Sequence, residues 1–361
     1  MAIAEALLKA GGHSVGSYTS PHLIRYNERV RIHGHPVSDE ALCDAFARID
    51  RARLMGDKPV SLTFFEFGTL AALLLFADAS LDAVVLEVGL GGRLDAVNAV
   101  DADTAIVSSI GLDHIDWLGD DIEQIGREKA GVARAGKPFI IARNDVPSSL
   151  KESAEALGAD VMEVGKQFGY ELSAENGLIS HWTYHFGSQT YDFPSLGLVG
   201  EFQYGNAAAV LTALHTQGLC PPVDLCVPAL AGLSLNGRMQ RLTMKSGLSV
   251  WLDVAHNADS AAMLSQTLLA SDQAQGRPKR RLALFGMMQD KDQQAVMAAL
   301  TPLIDRWWLT ACELPRAASA QGLASALAEG FDVQSGRLAI SSSVDEALGE
   351  ITASTQPGDE L

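Results

Sequence analysis

The spacing of apolar and polar residues along the first two-thirds of the chain predicts alternating strands and helices. Short β-branched runs predict buried strands at residues 82–89, 104–110 and 138–142. Helical patterns lie around these strands, at residues 38–53, 65–77, 121–133 and 148–157. Alternation of this kind is typical of βαβ units, and we therefore expect an α/β fold with a mostly parallel sheet.

The remaining part of the chain changes its pattern twice. Alternating aromatic and polar residues at 168–193 predict antiparallel hairpins, and an Ala-rich helix is expected at 203–216. A proline-containing stretch at 220–236 leads into a second βα series. Its strands are expected at 249–254, 281–285 and 306–310, and its helices at 259–270, 293–300 and 319–327. We expect two domains, residues 1–233 and a smaller Rossmann-like α/β domain at residues 234–361.

Charge and cysteine content exclude several classes of protein. The chain has 27 Lys+Arg against 44 Asp+Glu, a formal net charge of −17 at pH 7, which disfavours a nucleic-acid binder. The longest charge-free apolar stretch, residues 67–77, is shorter than the ~20 residues that a membrane helix needs. No heptad face suggests a partner helix, so we expect a monomer. No cysteine pair has CxxC spacing, so neither a zinc site nor a disulfide framework is predicted, and a reducing cytoplasm is the expected compartment. The cysteines are Cys43, Cys220, Cys226 and Cys312.

The first candidate for chemistry is a carboxylate at the end of a predicted strand. Glu87 stands directly before the glycine-rich turn at residues 89–92. Ligands of open α/β sheets gather beyond the carboxyl ends of the strands, and a carboxylate there is costly to bury unless it meets a metal or a cation. A helix cap or a structural ion pair is the alternative. Leu94 occupies the third glycine position of a GxGxxG pattern, which disfavours a nicotinamide site.

Two more candidates follow the next predicted strand. His114 lies between Asp113 and Asp116, and imidazole with carboxylate suits a divalent cation, although an ordinary turn histidine is the alternative. Because the neighbouring parallel strand ends at Glu87, the two side chains could converge. Lys129 lies on the following helix, where a lysine is usually a solvated charge.

Polar groups also cluster near the N-terminus and in the second domain. Ser20 belongs to a loop rich in hydroxyl, imidazole and guanidinium groups, which suits ligand binding. Arg238 follows the proline-containing stretch, and Asp253 and His256 stand where a predicted strand gives way to a helix. Ordinary helix capping is the alternative for Asp253 and His256.

Together these motifs resemble the dihydrofolate synthase/folylpolyglutamate synthase family, which belongs to the Mur-type amide ligases. The resemblance covers nearly the whole chain. It implies a Mur-ligase-like α/β fold, with a central, mostly parallel sheet in an ATPase domain and a smaller C-terminal domain. The motifs that carry it lie at residues 18–23, 86–98, 109–114, 128–131, 236–240 and 252–257.

The resemblance implies a reaction and its substrates. ATP would phosphorylate a carboxylate of the pteroate substrate, and the amino group of L-glutamate would then attack the acyl phosphate. Dihydropteroate and tetrahydrofolate are the implied acceptors, and Mg²⁺ would offset charge on the transferring phosphoryl group.

The resemblance also implies roles for individual residues. Ser20, Glu87 and His114 would be magnesium ligands. Lys129 matches a lysine that is carbamylated in relatives, and Lys129, His114 and Arg238 would act in catalysis. The implied ATP contacts are Asn206, Arg238, Asp253 and His256.

Some features depart from the family pattern. Phe202 stands where many relatives have histidine, and Asn236 where many have proline. The family's phosphate-binding P-loop, G-T-N-G-K-G-[ST], has no counterpart, since no G-x-x-G-K-[ST] pattern occurs in the 361 residues. Met1 falls inside a helical pattern and residues 358–361 resemble the start of a strand. From these features we expect a chain truncated at both ends, without its first strand and P-loop.

Two other functions remain open at this stage. One is a non-catalytic protein that keeps pterin or metal contacts without hydrolysing ATP. The other is a cell-wall Mur ligase that acts on a UDP-linked substrate, although the segments at 18–23 and 94–98 argue against it.

Overall fold

A computed structural model of the chain describes residues 1–112, 115–175, 177–330 and 336–361. The chain folds into two compact units. The first comprises Met1–Ser173, His181–Leu198 and Phe202–Leu233, and the second comprises Ala174–Ser180, Val199–Glu201 and Ser234–Leu361. Among the described residues, none of the helices is long and apolar enough to cross a membrane.

The first unit contains helices and strands in alternation. Its helices are α1 (Ala2–Ala10), α2 (Asp39–Arg53), α3 (Phe64–Ala79), α4 (Ile115–Leu118), α5 (Ile122–Ala130), α6 (Ser148–Ala156), α7 (Phe202–Thr216) and α8 (Val223–Ala231), with 3₁₀ helices at Tyr26–Arg29 and Ala96–Ala99. Its strands are β1 (Val15–Tyr18), β2 (Val30–Ile32), β3 (His35–Pro36), β4 (Ala83–Leu86), β5 (Ala105–Val107), β6 (Pro138–Ile141) and β7 (Asp160–Glu163). The predicted hairpins are confirmed as β8 (Phe168–Glu175), β9 (Leu178–Phe186) and β10 (Gln189–Pro194).

The expected central sheet takes the form of separate sheets in the described residues. One has the order β3-β2-β1-β4, in which only β1 and β4 are parallel, and another has the parallel order β5-β6-β7. Both β4 and β5 are edge strands. Val84 on β4 is therefore 44% exposed and Ile106 on β5 is 37% exposed, so the prediction of fully buried strands was wrong at these edges.

Local sequence signals start the helices of this unit. The Ser38 hydroxyl accepts the Ala41 N–H at the start of α2, and Thr63 with Glu66 forms a capping box at the start of α3. The apolar faces of these helices pack on the β1 sheet in a core that contains Tyr18, Val30, Leu42, Ala72, Phe76 and Val97. This core fixes the carboxyl ends of β1 and β4, where the candidate site lies.

The second unit is an α/β layer structure. Its helices are α9 (Ala258–Gln275), α10 (Gln293–Leu300), α11 (Ala320–Gly330) and α12 (Val344–Ser354). Its strands are β11 (Gln240–Thr243), β12 (Ser249–Leu252), β13 (Arg280–Phe285), β14 (Arg306–Leu309), β15 (Leu338–Ile340) and β16 (Asp359–Glu360). They form a sheet of order β11-β12-β16-β13-β14-β15, parallel apart from the β11–β12 pair. The predicted strands of the second βα series are confirmed as β12, β13 and β14.

Candidate functional site

The carboxyl ends of β1 and β4 bring two predicted site residues together. The strands run in parallel with Tyr18 opposite Leu86, so the residues that follow them leave the sheet at the same edge. The Glu87 N–H donates to the Tyr18 carbonyl at 2.9 Å, which continues the ladder. The Ser20 N–H then donates to Glu87 Oε2 at 2.8 Å. Ser20 and Glu87, both predicted as magnesium ligands, are therefore in direct contact.

The loop after Ser20 is held by a second carboxylate, that of Glu28, for which no role was predicted. Glu28 Oε1 accepts the N–H groups of Ile24 and Arg25 at 3.0 and 2.7 Å, and Oε2 accepts the Leu23 N–H at 2.8 Å. These backbone donors, with Arg25 contributing most, hold the pKa of Glu28 below its usual value. Glu28 belongs to the Tyr26–Arg29 3₁₀ helix, and an acidic residue in a first helical turn was the available signal.

The glycine-rich turn is likewise folded around an aspartate. Asp95 Oδ2 accepts the N–H groups of Gly89 and Leu90 at 3.1 and 3.0 Å, and its Oδ1 caps the next 3₁₀ helix by accepting the Val97 N–H at 2.9 Å. Because these two turn N–H groups already donate to a carboxylate, they do not form a cradle for phosphate. An aspartate before a short helix was the signal for Asp95.

Lys129 is held against this turn through its backbone. A Cβ on Gly92 would lie 2.6 Å from the Glu128 carbonyl oxygen and 3.0 Å from the Lys129 Cα, so only glycine fits. The Arg93 N–H donates to the Glu128 carbonyl at 2.9 Å, and the Arg93 guanidinium pairs with the Glu128 carboxylate at 2.8 Å. The last turn of α5, which carries the partly buried Lys129, is therefore docked on the segment that follows Glu87.

Asn206 lies near the start of α7. Its amide Nδ2 donates to Gln203 Oε1 at 3.0 Å, within the same helix. The preceding residue, Gly205, approaches the Ala142 carbonyl just after β6, and α7 packs on β5 and β6. The structure thus places Asn206 by the parallel sheet, and its side-chain contact is local.

In the second unit, three predicted residues surround the end of β12. Asp253 Oδ2 accepts the Met239 N–H at 2.8 Å, and Oδ1 accepts the Ala255 N–H at 2.8 Å. The Val254 N–H donates to the Gly237 carbonyl at 3.0 Å. The Asp253 carboxylate therefore fixes the backbone just after Arg238 and just ahead of His256, while the Val254 N–H fixes the backbone just before Arg238. Arg238 and His256 are both exposed.

The fit of a metal ion can be judged from the donors present. His114, the third predicted magnesium ligand, and its neighbour Asp113 lie outside the described residues. Among the residues that are described, no group of three or more His, Cys, Asp and Glu side chains could hold a metal ion. The pair of Ser20 and Glu87 instead offers oxygen donors, and Mg²⁺ is usually bound through one or two carboxylates with substrate phosphates and water. The pair fits Mg²⁺ in that mode.

Comparisons with known proteins give consistent matches over the chain. The family model for the Mur ligase middle domain matches residues 49–214, and that for the Mur ligase glutamate ligase domain matches residues 237–361. The dihydrofolate synthase/folylpolyglutamate synthase of Escherichia coli strain K12 is 41% identical over 350 residues, which cover 96% of this chain and 78% of that protein.

Solved structures agree with the sequence matches. The structure of E. coli FolC in complex with DHPP and ADP superposes with a TM-score of 0.88 at 39% identity, covering 99% of this chain and 80% of FolC. A bifunctional folylpolyglutamate synthase/dihydrofolate synthase with Mn, AMPPNP and L-glutamate bound has a TM-score of 0.85 at 40% identity, covering 99% of this chain and 81% of that one. On these grounds, the chain belongs to the dihydrofolate synthase/folylpolyglutamate synthase family of Mur ligases.

Proposed function

We propose that this protein is an ATP-dependent amide ligase that joins L-glutamate to dihydropteroate and to tetrahydrofolate through an acyl phosphate. Two of the relatives named above carry both activities in their names. One solved structure holds DHPP and ADP, and the other holds Mn, AMPPNP and L-glutamate. Within this chain, the observation that carries the proposal is the contact between Ser20 and Glu87 at the carboxyl ends of parallel strands.

The chemistry explains why such a site needs fixed charges. A carboxylate is a poor electrophile, and phosphorylation supplies the leaving group that the glutamate amine displaces. A bound Mg²⁺ would supply charge neutralisation at the phosphates. Ser20 and Glu87, with His114, are the residues that would hold it. The Glu28 and Asp95 carboxylates keep the two loops in place, so Ser20 and Glu87 require little reorganisation when substrate binds.

Lys129 and the second-unit residues complete the proposed assignment. We assign Lys129 as a carbamylated side chain, which turns a cation into an anionic ligand beside the glycine turn. Asn206, Arg238, Asp253 and His256 would contact ATP, with Asp253 acting on the backbone that presents Arg238 and His256. Residues 1–233 would then supply the metal and pterin contacts, and residues 234–361 the glutamate ligase part.

The test is a coupled assay on the full chain with ATP, Mg²⁺, L-glutamate and either dihydropteroate or tetrahydrofolate. We expect ADP release together with a product whose mass has increased by one glutamyl residue. A UDP-muramoyl peptide in place of the pterin should give neither. ADP release with the UDP-linked substrate alone would overturn the folate assignment in favour of a cell-wall ligase. Native mass spectrometry of bicarbonate-treated protein at neutral pH should show the mass of one added CO2, which Lys129→Ala should lack. No added CO2 in the wild type under these conditions would remove that role.

The proposed setting follows from composition and substrates. We place the reaction in the cytoplasm, because all four cysteines are free thiols. With a net charge of −17, the protein has no general attraction for nucleic acid, and we propose that it acts as a monomer.

A further inference from the structure

Two cysteines for which the sequence predicted no pairing both lie against the Pro221 carbonyl oxygen at the start of α8. Cys220 precedes the helix and Cys226 lies in its first turns, with a proline pair between them. The Pro221 carbonyl oxygen lies 3.7 Å from Cys220 Sγ and 3.3 Å from Cys226 Sγ. Cys226 is 1% exposed, whereas Cys220 is partly exposed and can be reached by small reagents.

A histidine in an aromatic setting faces the same sulfur. His215, in the last turn of α7, stacks with Phe186, Tyr184 and Tyr191, whose ring centroids lie 5.2, 5.9 and 5.1 Å away. Its imidazole also lowers the pKa of the Cys220 thiol. The stacking leaves the imidazole little freedom to turn away, so it remains beside the thiol.

The two thiols differ in the direction in which their pKa values are shifted. A hydrogen bond from Cys226, followed by the His215 imidazole, lowers the pKa of Cys220 despite partial burial. That same hydrogen bond, together with burial, raises the pKa of Cys226. The other ionisable groups that face the pair are Tyr184, Tyr191 and Asp224. Tyrosine and aspartate side chains cannot carry a positive charge, so the contrast rests on His215 and on the thiol pair itself.

We propose that Cys220 and Cys226 form a peroxide-sensitive dithiol, in which Cys220 is the nucleophile and Cys226 resolves it to a disulfide. The Cys220 thiolate attacks one oxygen of hydrogen peroxide, the O–O bond breaks and hydroxide leaves, which gives a sulfenic acid. The Cys226 sulfur then attacks the Cys220 sulfur, its S–H proton joins the departing hydroxyl, and water leaves. Two thiols are oxidised to one disulfide, while one peroxide is reduced to two waters.

The first test uses mass spectrometry on the reduced full chain after brief treatment with hydrogen peroxide. Lys166 and Arg238 bound a tryptic peptide that contains both cysteines. We expect this peptide to lose two hydrogens and to regain them with dithiothreitol. In Cys226→Ser the same peptide should instead gain oxygen at Cys220, while Cys43→Ser, at an exposed position on α2, should behave like the wild type. Oxygen addition at Cys220 in the wild type, with no loss of hydrogen, would overturn the resolving role.

The second test measures the reactivity of Cys220 without oxidation. Alkylation by iodoacetamide requires the thiolate, so an ordinary cysteine reacts about tenfold faster for each pH unit between 6 and 8. We expect the Cys220 rate to level off within this range. His215→Phe keeps the aromatic stack and removes the imidazole, and should restore part of the pH dependence. A Cys220 rate that rises tenfold per unit up to pH 8 in the wild type would contradict the nucleophile role, whether or not the variant folds.

Discussion

An acidic residue directly follows both β4 and β12, but the two carboxylates make different contacts. In the first unit, Glu87 contacts the Ser20 loop while a separate residue, Asp95, holds the glycine turn. In the second unit, the strand-end carboxylate of Asp253 itself holds the backbone, with one oxygen accepting the Met239 N–H and the other the Ala255 N–H. We infer that the charge of Glu87 serves the chemistry of the site, whereas the charge of Asp253 serves its geometry. A position at a strand end therefore does not by itself identify a ligand-binding carboxylate.

Of the substitutions that test this comparison, neutralising Glu87 should have the largest effect, a loss of ligase activity. Glu87→Gln keeps an oxygen that can accept the Ser20 N–H but removes the negative charge. We expect ligase activity to fall at least about 100-fold, as for the loss of groups that hold or orient a metal, with little change in melting temperature. Glu171→Gln, at an exposed position on β8, is the matched control. A loss below tenfold would mean that the Glu87 charge, too, is mainly structural.

The next largest effect should come from filling the contact between the glycine turn and α5. In Gly92→Ala the new Cβ would meet the Glu128 carbonyl and the Lys129 Cα, which are backbone and cannot rotate away. We expect a loss of about 2 kcal/mol in the free energy of unfolding, as for other overpacked sites. Gly349→Ala is the control, because nothing lies within 4 Å of its Cβ, and it should be neutral or stabilising. Equal urea midpoints for the two variants would show that the glycine turn shifts to accommodate the new Cβ at little cost.

Periodicity and turn residues were sufficient for most of the fold. The second βα series, the hairpins and the helices at 38–53 and 203–216 could be predicted because each is a local pattern of burial and capping. The edge positions of β4 and β5 could not, because an apolar run indicates hydrophobic faces without saying which strand borders another. Val84 and Ile106 are exposed because β4 and β5 lie at sheet edges, which their apolar runs do not reveal.

Only part of the candidate site could be predicted from the sequence. A strand-end position suggested Glu87, yet its contact with Ser20 depends on the parallel pairing of β1 with β4, which are separated by 64 residues from Tyr18 to Ala83. Glu28 and Asp95 were missed because an acid at the start of a short helix is a weak signal, and their backbone N–H partners add no residue-type signal to it. The Cys220–Cys226 pair was missed because its spacing is not CxxC, and the two sulfurs reach the same Pro221 carbonyl only through the turn into α8.

Removing the Asp253 carboxylate tests the second half of the comparison. Asp253→Ala loses the acceptors for Met239 and Ala255, and the displaced backbone should raise the KM for ATP about tenfold, which corresponds to one or two net hydrogen bonds. Asp253→Asn retains one acceptor oxygen and should lie between the alanine variant and the wild type. If asparagine were as harmful as alanine while the melting temperature stayed unchanged, the charge itself would be required, and Asp253 would resemble Glu87.

The smallest effect should appear in the loop that Glu28 holds. The lowered pKa of Glu28 means that its stabilisation is complete above the unfolded carboxyl pKa of about 4.3, and is lost as the pH falls through the folded value. We expect Glu28→Gln at pH 7 to lower hydrogen-exchange protection at the Leu23, Ile24 and Arg25 amides by about fivefold, the equivalent of one modest hydrogen bond. Glu152→Gln, at an exposed position on α6, should leave these amides unchanged. Since glutamine does not ionise, the variant should also lose the acid-dependent drop in protection that the wild type shows. Retained protection in Glu28→Gln would mean that neutral acceptors suffice, and that geometry rather than charge orders the loop beside Ser20, as we infer for Asp253.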